Sequence, residues 1–288
     1  MSIPKIATYA LPPQSQWPLP RTDWLPSSQR AVLLIHDMQD YFVQFYDRTA
    51  QPMPEVIAHI QQLRQACQSV GIPIVYTAQP AVQAVPDRAL LQDWWGPGIT
   101  AQPDQASVIV ELTPTPQDVV LTKWRYSAFA RSDLQDRMRA WGRDQLIVCG
   151  IYAHIGCMTT CVDAFMRDIQ PFLIGDAVAD FSAAEHLQAL NWTAGRCGIV
   201  MSTQHAVQQL QAPARPVYAS IDALHQAVAT LLDIPLHELD VDDNLIDMGL
   251  DSIRLMALVT QWREAGRAID FVQLGERPRI SAWWALLS

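Results

Sequence analysis

The sequence predicts an α/β domain with a parallel sheet covered by helices on both faces, followed by a small four-helix bundle. Continuous apolar runs, of which residues 31–35 are the clearest, alternate with helix-periodic segments through the first two thirds of the chain. The alternation stops at an Ala/Pro-rich stretch, residues 211–217, which is typical of a linker. Beyond it, the apolar spacing is helical. We therefore expect domains at residues 1–210 and 218–288.

The first domain begins with an arm, residues 1–26, whose six prolines predict an extended segment over the surface. Residues 80–118 have no clear period, and a loop region of that length in a compact domain is usually a lid or a binding wall. Apolar runs predict strands at residues 31–35, 72–77, 119–122, 146–151, 172–174 and 199–202. Helix periodicity predicts helices at residues 54–70, 132–141, 159–169 and 183–192.

The C-terminal domain is short and acidic. Its pattern predicts helices at residues 221–232, 252–264 and 281–287 and a short turn at residues 270–274. It holds 11 acidic and 5 basic residues, a net of −6 out of −9 for the whole chain. This charge makes nucleic acid an improbable partner and favours docking on basic protein surfaces.

Composition also indicates the compartment. No apolar run is long enough to span a membrane, and no secretory signal is readable at the N-terminus. The five cysteines form an odd set without a Cys-x-x-Cys pair, which argues against a disulfide scaffold or a zinc ribbon. We therefore expect a cytoplasmic protein with no membrane partner and no metal.

One short motif stands out in the acidic domain. Gly249, Leu250, Asp251 and Ser252 directly precede a helical run, which puts Ser252 at a helix N-terminus, where backbone N–H groups favour a phosphate. An ordinary Asp-Ser helix cap is the alternative interpretation. The loop resembles the phosphopantetheine attachment site of acyl, aryl and peptidyl carrier proteins. That resemblance implies a covalent 4'-phosphopantetheine cofactor on Ser252.

An apolar patch beside this serine predicts a docking site for partner enzymes. Ile253 and Met256 lie three residues apart on one face of the helix, and Phe271 follows in the next short element. A small domain cannot bury every apolar side chain, and an exposed cluster usually marks an interface.

Three groups in the first domain follow strand ends. Asp37 follows the strand at residues 31–35, Lys123 ends the strand at residues 119–122, and Gly156 lies beyond the strand at residues 146–151. The carboxyl ends of parallel strands form the functional crevice of such sheets. Of the 20 basic residues only Lys5 and Lys123 are lysines, so Lys123 is a candidate for a chemical role.

These groups carry a resemblance to the isochorismatase branch of the cysteine-hydrolase superfamily. The superfamily places its nucleophilic cysteine six residues after the glycine that closes the strand. Counted from Gly150, that position is Gly156, and isochorismatases likewise have no nucleophile there. With its carrier module, the whole chain is similar to the bifunctional isochorismatase/aryl carrier proteins of catechol siderophore synthesis. The motifs that carry the resemblance are residues 37–42, 76–79, 95–98, 123–129 and 152–156.

The resemblance implies hydrolysis of isochorismate to pyruvate and 2,3-dihydro-2,3-dihydroxybenzoate, with Asp37 as general acid and Lys123 beside it. Burial would raise the pKa of Asp37 and the lysine would lower it, so the net direction stays open. The resemblance also implies a non-proline cis peptide near Ile151 and Tyr152. It implies a catalytic role for Gly156, substrate contacts from Gln79, Arg88, Tyr152 and the Gly156 backbone, and a ring wall from Phe42 and Trp95.

The partners follow from the same resemblance. They are a phosphopantetheinyl transferase, a 2,3-dihydroxybenzoate-AMP ligase and the condensation domain of a non-ribosomal peptide synthetase, and we expect a homo-oligomer. Two alternatives remain open from the sequence. The first domain could be an inactive scaffold for the carrier, or it could be an amidase that uses Cys157 as nucleophile.

Overall fold

A computed structural model describes residues 3–212, 217–265, 267 and 269–287. The chain forms two compact units, Met1–Gln211 and Ala212–Ser288. Most of the stretch that the sequence indicates as a linker, residues 213–216, lies outside the described residues.

The first unit contains a six-stranded sheet in which every neighbouring pair of strands is parallel. The order is β3-β2-β1-β4-β5-β6, so β1 and β4 lie at the centre. This confirms the predicted fold class. The strands are β1 Ala31–His36, β2 Ile74–Ala78, β3 Val119–Thr122, β4 Gln145–Ile151, β5 Gln170–Ala179 and β6 Ile199–Met201.

Strand β5 is much longer than the prediction of residues 172–174. Its apolar run is interrupted by Gly175 and Asp176, which read as a strand end, and it resumes in the buried residues 177–179. The pairing of β4 with β5 shifts register between Val148 and Gly150, and the strand continues through this irregularity. Local composition alone did not reveal that the two pieces are one strand.

Helices cover both faces of the sheet. One apolar core contains side chains of α2 and α8, and the other contains side chains of α5, α6 and α7. Helix α8 was not predicted, because its polar residues obscured an apolar face that includes Ala206 and Leu210. The helices of this unit are α1 Asp40–Val43, α2 Met53–Ser69, α3 Val85–Arg88, α4 Leu90–Trp95, α5 Leu134–Ala140, α6 Met158–Phe165, α7 Ala183–Arg196 and α8 Thr203–Gln211.

The described part of the N-terminal arm is extended over this unit, as its prolines predict, apart from a short 3₁₀ turn at Gln14–Gln16. Ile6 is buried and its N–H donates to the carbonyl of Phe45 at 2.8 Å. The Trp17 ring lies against Gly175, where an added Cβ would come within 2.9 Å of it. These contacts anchor the arm through side chains, with few backbone hydrogen bonds.

The second unit is helical, as predicted. Its core includes Trp262 and Trp283, both fully buried, whose rings meet edge to face at 5.6 Å between centroids. Within the described ranges, neither unit contains a helix long and apolar enough to cross a membrane. The helices of the second unit are α9 Ile221–Leu232, α10 Ser252–Glu264, α11 Phe271–Glu276 and α12 Ile280–Leu287.

Candidate active site and carrier site

Asp37 lies directly after β1 and lines a cavity at the carboxyl ends of the strands. Its φ is +50°, a left-handed conformation that an aspartate adopts at lower cost than most residues. Its side chain is largely buried, with 7% of the residue exposed. The strand end therefore presents a carboxylate to an enclosed space, as the position after an apolar strand predicts.

Lys123 and Thr77 hold this carboxylate. Lys123 Nζ donates to Asp37 Oδ2 at 2.9 Å, and Thr77 Oγ1 donates to Asp37 Oδ1 at 2.6 Å. Burial alone raises the pKa of Asp37. The Lys123 charge, His36 and the hydrogen bonds from Thr77 and Lys123 outweigh burial and hold that pKa below its ordinary value. The pKa of Asp37 is therefore lowered overall, which settles the direction that the sequence left open, and the carboxyl is ionised near neutral pH.

Gly156 belongs to a π-helical turn, Ala153–Cys157, that follows β4. The peptide bond between Ile151 and Tyr152 is cis, as the resemblance implies. The N–H groups of Ile155, Gly156 and Cys157 all donate to the carbonyl of Tyr152 at 3.1–3.2 Å. The turn thus brings the glycine backbone to the cavity wall with no side chain on it.

Cys157 does not line this cavity. The residue is fully buried in the apolar core that contains Cys161 and Ala164, and it is not among the residues that line the cavity. Burial raises the pKa of the Cys157 thiol well above its ordinary value, so the thiolate is disfavoured. These observations argue against a nucleophilic role for Cys157.

Arg88 ends α3 and reaches the cavity from the irregular region of residues 80–118. Its guanidinium lies flat against Gly98, where an added Cβ would come within 2.2 Å of Nη2 and 2.7 Å of Cζ. Its Nε donates to the carbonyl of Gly96 at 2.6 Å. Gly96 and Gly98 both have positive φ, +66° and +56°. The segment Gly96-Pro97-Gly98 therefore forms a mount that fixes the plane of the arginine.

Gln39 fixes the backbone of a second candidate, Gln79. Gln39 is fully buried, and its amide both donates to the carbonyl of Gln79 at 2.9 Å and accepts from its N–H at 2.8 Å. Its Nε2 also donates to the carbonyl of Ala106 at 2.7 Å. Apart from its place two residues after Asp37, Gln39 has no sequence signal that indicates this role. Buried amides that bond to backbone at both ends are positioning elements.

Aromatic rings form much of the remaining wall. Tyr152 meets Phe42 and Phe181 edge to face, and its hydroxyl donates to the carbonyl of Phe42 at 3.0 Å. Trp95 Nε1 donates to the hydroxyl of Tyr126 at 2.8 Å. The cavity measures about 640 Å³ counting its open mouth.

The structure brings all eight sequence-predicted residues of this site to one cavity: Asp37, Phe42, Gln79, Arg88, Trp95, Lys123, Tyr152 and Gly156. Eight further residues line it that the sequence did not indicate: Ile3, Tyr41, Leu91, Gly98, Arg125, Tyr126, Ile155 and Phe181. Five of these lie within the motifs that carry the family resemblance, although no role was predicted for them: Tyr41, Gly98, Arg125, Tyr126 and Ile155. Ile3 and Phe181 come from remote segments and carry no local signal.

In the second unit, Ser252 is exposed and is the first residue of α10. Asp251 caps this helix, since its Oδ1 accepts from the N–H of Arg254 at 2.8 Å. Gly249 has φ +97°, and its carbonyl accepts from Arg254 Nη1 at 2.9 Å. The loop thus presents the serine hydroxyl to solvent from a capped helix start.

The predicted docking residues differ in exposure. Ile253 is 82% exposed and Met256 is 51% exposed, whereas Phe271 is half-buried and packs against the core of the second unit. Val272, beside it, is 62% exposed. The surface next to Ser252 therefore contains Ile253 and Met256, whereas Phe271 is only partly exposed.

The fold and the cavity define a class of protein. Residues 31–205 match the isochorismatase domain family, and residues 222–287 match the phosphopantetheine attachment site family. The chain belongs to the isochorismatase family and carries a C-terminal phosphopantetheine attachment domain. No group of three His, Cys, Asp or Glu side chains suited to a metal ion occurs among the residues that the structure describes.

Two relatives align over the whole chain, and a solved structure aligns over about two thirds of it. Enterobactin synthase component B of Escherichia coli (strain K12) is 53% identical over 288 residues, 100% of this chain and 99% of that protein. A protein named isochorismatase from Bacillus subtilis (strain 168) is 47% identical over 299 residues, 100% of this chain and 96% of that protein. The crystal structure of a cysteine hydrolase from Pseudomonas syringae pv. phaseolicola 1448A aligns with a TM-score of 0.60 at 25% identity, covering 67% of this chain and 96% of that one.

Proposed function

We propose that the first domain hydrolyses isochorismate to pyruvate and 2,3-dihydro-2,3-dihydroxybenzoate, and that the second carries 2,3-dihydroxybenzoate as a thioester in catechol siderophore synthesis. The observation that carries the enzymatic half is the buried pair of Asp37 and Lys123 at the wall of a cavity whose described lining includes no cysteine, serine or threonine. Membership of the isochorismatase family and 53% identity to enterobactin synthase component B support the same substrate and pathway.

The reaction begins with a proton transfer. The enolpyruvyl double bond takes a proton from Asp37 at its terminal carbon, which leaves an oxocarbenium ion at the ether carbon. Water adds to that carbon and loses a proton. The hemiketal then collapses, the bond between the ether carbon and the ring oxygen breaks, and the ring oxygen takes up a proton. No covalent intermediate on the protein is required, which suits a glycine at position 156.

Asp37 must acquire a proton before it can act as an acid, because it is ionised in the free protein. Isochorismate brings two carboxylates into the cavity. Their charge raises the pKa of Asp37, and their pairing with Lys123 removes part of the cation that lowers it. Substrate binding is therefore coupled to proton uptake in this proposal.

The other cavity residues bind and orient the substrate. Arg88 pairs with a substrate carboxylate, because its mounted guanidinium can form two parallel hydrogen bonds. The Gln79 side-chain amide bonds a substrate oxygen, and the Phe42, Trp95 and Tyr152 rings wall the substrate. We assign Gly156 the role of a backbone contact that leaves room for water or substrate.

The enzymatic half is tested by incubating the protein with isochorismate and following pyruvate release. Asp37→Asn keeps the shape of the side chain but replaces the carboxyl with an amide that cannot act as the acid. Pyruvate release should therefore fall by at least about 1,000-fold, within the range that acid catalysis contributes. Circular dichroism and thermal unfolding report whether the variant is folded. Turnover close to wild type in a folded Asp37→Asn protein would remove Asp37 from the mechanism.

Ser252 receives the phosphopantetheine arm in our proposal. A phosphopantetheinyl transferase modifies its exposed hydroxyl, a 2,3-dihydroxybenzoate-AMP ligase loads the thiol of the arm, and the condensation domain of a non-ribosomal peptide synthetase takes the acyl group. The phosphopantetheine attachment family match over residues 222–287 supports this role. Intact mass after incubation with coenzyme A and a transferase tests it, since the arm should add once to the wild type.

The remaining parts of the proposal concern where and how the chain works. We propose that it acts in the cytoplasm, because its five cysteines are unpaired and buried. We also propose that it is a homo-oligomer. Val85, Leu90 and Trp94 expose 67–80% of their surfaces on α3 and α4, the helices that also carry Arg88 and Trp95, and exposed apolar side chains close in sequence commonly mediate association. Light scattering of the purified protein tests the oligomeric state.

A further inference from the structure

His36 is a buried titratable residue that the proposed proton transfer does not use. It ends β1 directly before Asp37, and none of its surface is exposed. Its Nδ1 lies 3.0 Å from the carbonyl oxygen of Ile151 and 3.5 Å from Asp37 Oδ2. Burial, and then the Lys123 charge, lower the pKa of His36 to about 4, so the ring is neutral near pH 7. The bond to Ile151 assigns the proton to Nδ1.

The same ring covers Gly156. A Cβ added to Gly156 would come within 2.1 Å of His36 Cε1 and 2.8 Å of both ring nitrogens, far below any distance that carbon atoms tolerate. The imidazole cannot move aside easily, because it is fully buried and its Nδ1 is held by Ile151. The ring therefore fills the volume that any side chain at position 156 would need.

We propose that His36 is a positioning residue that occupies the place of a nucleophile side chain at position 156. In this arrangement His36 makes a glycine obligatory there and keeps the cavity wall free of a thiol. It also holds the carbonyl of Ile151, which precedes the turn that carries Gly156. The inference rests on the proposed function only for its activity readout, and its stability readout is independent of the reaction.

The test is a double-mutant cycle with Gly156→Ala and His36→Ala in the full chain. In the wild-type background, Gly156→Ala overpacks the site and should lower the Tm by roughly 3 to 10 °C. In the His36→Ala background the same methyl enters the volume that the imidazole occupied, so the Tm of the double variant should equal or exceed that of His36→Ala alone. Gly195→Ala is the matched control, because among the described residues nothing lies within 4 Å of its added Cβ.

Equal losses of Tm in both backgrounds would overturn the proposal. So would a double variant that fails to fold when Gly156→Ala alone folds. The activity readout is kcat/KM for isochorismate, which should fall at least tenfold in Gly156→Ala and recover in part in the double variant. Absence of pyruvate release from the wild type would contradict the proposed function instead, and the Tm cycle would still decide the steric inference.

Thiol labelling gives a readout that a merely structural role of His36 would not produce. All five native cysteines are buried, so iodoacetamide should leave the folded wild type unmodified. Gly156→Cys combined with His36→Ala should be alkylated once, at the thiol introduced into the cavity. Gly156→Cys with His36 intact should unfold at lower temperature than the double variant. If the folded Gly156→Cys, His36→Ala variant does not gain mass on treatment with iodoacetamide, the inference that His36 occupies the volume of a side chain at position 156 is contradicted.

Discussion

Gly98→Ala is predicted to weaken substrate binding by displacing Arg88. The added methyl would lie 2.2 Å from Arg88 Nη2 and 2.9 Å from Nη1, so the guanidinium must leave its mount. Its bond from Nε to the carbonyl of Gly96, 2.6 Å long, is then lost or stretched. A hydrogen bond to a charged group contributes about 1.5–3 kcal/mol. Loss of one such contact with substrate lowers kcat/KM roughly 10- to 150-fold.

Backbone strain must be separated from this displacement, because Gly98 has φ +56° and an alanine there is unfavourable in any case. Gly71→Ala is the matched control. Gly71 has φ +70°, and within the described ranges nothing lies within 4 Å of its added Cβ. Both variants should lose similar stability, but only Gly98→Ala should raise the KM for isochorismate in a steady-state pyruvate assay. Equal kcat/KM in the two variants would refute the role of the mount.

Four further outcomes are expected. Cys157→Ala should keep kcat for pyruvate release within about threefold of wild type, because a buried thiol of raised pKa is no nucleophile; inactivity of a folded variant would favour the amidase alternative. Ser252→Ala should abolish the mass increase produced by a phosphopantetheinyl transferase and leave isochorismate hydrolysis unchanged; a large loss of hydrolysis would mean that the domains are coupled. Met256→Asp should slow arylation or downstream transfer at least tenfold, because its half-exposed side chain lies near Ser252. Phe271→Asp is a less specific probe, because the Phe271 ring also packs against the core of the second unit. Wild-type rates for a folded Met256→Asp protein would show that this surface does not dock partner enzymes. The unfolded chain binds a proton at His36 below about pH 6.5, whereas the folded protein binds it only near pH 4. As the pH falls from 6.5 to 4, the free energy of unfolding measured by denaturant titration should therefore fall by about 3 kcal/mol, and His36→Asn should lose this pH dependence. The same pH dependence in His36→Asn as in the wild type would contradict a buried, neutral His36.

The strand ends were predictable from sequence because parallel strands expose their carboxyl ends at one edge. Asp37 and Lys123 are each marked by an apolar run directly before them, so the sheet order was not needed to bring them together. Gly156 lies five residues beyond its strand, and the family resemblance was needed to single it out. The roles of Gln79, Arg88 and Trp95 came from the family resemblance. For Arg88 and Trp95 no other route existed, since residues 80–118 have no period from which to derive a position.

The supporting contacts were not predictable in this way. Ile3 comes from the N-terminal arm and Phe181 from the segment after β5, and neither has a local signature. The match between Gly98 and Arg88, and that between Gly156 and His36, depend on distances below 3 Å that only coordinates reveal. In the same way, the long β5 depended on pairing across Gly175, which local composition presents as a break.

In the mechanism proposed for Asp37 and Lys123, the enolpyruvyl ether is protonated and hydrated at its side chain, and water does not attack the ring. Hydrolysis of isochorismate in H₂¹⁸O, followed by mass spectrometry of the 2,3-dihydro-2,3-dihydroxybenzoate, tests it most directly. Water adds at the ether carbon of the side chain, so the diol should contain no ¹⁸O while pyruvate is released in equal amount. A diol that contains one ¹⁸O would show that water displaces the group at the ring carbon, and it would contradict the mechanism assigned to Asp37 and Lys123.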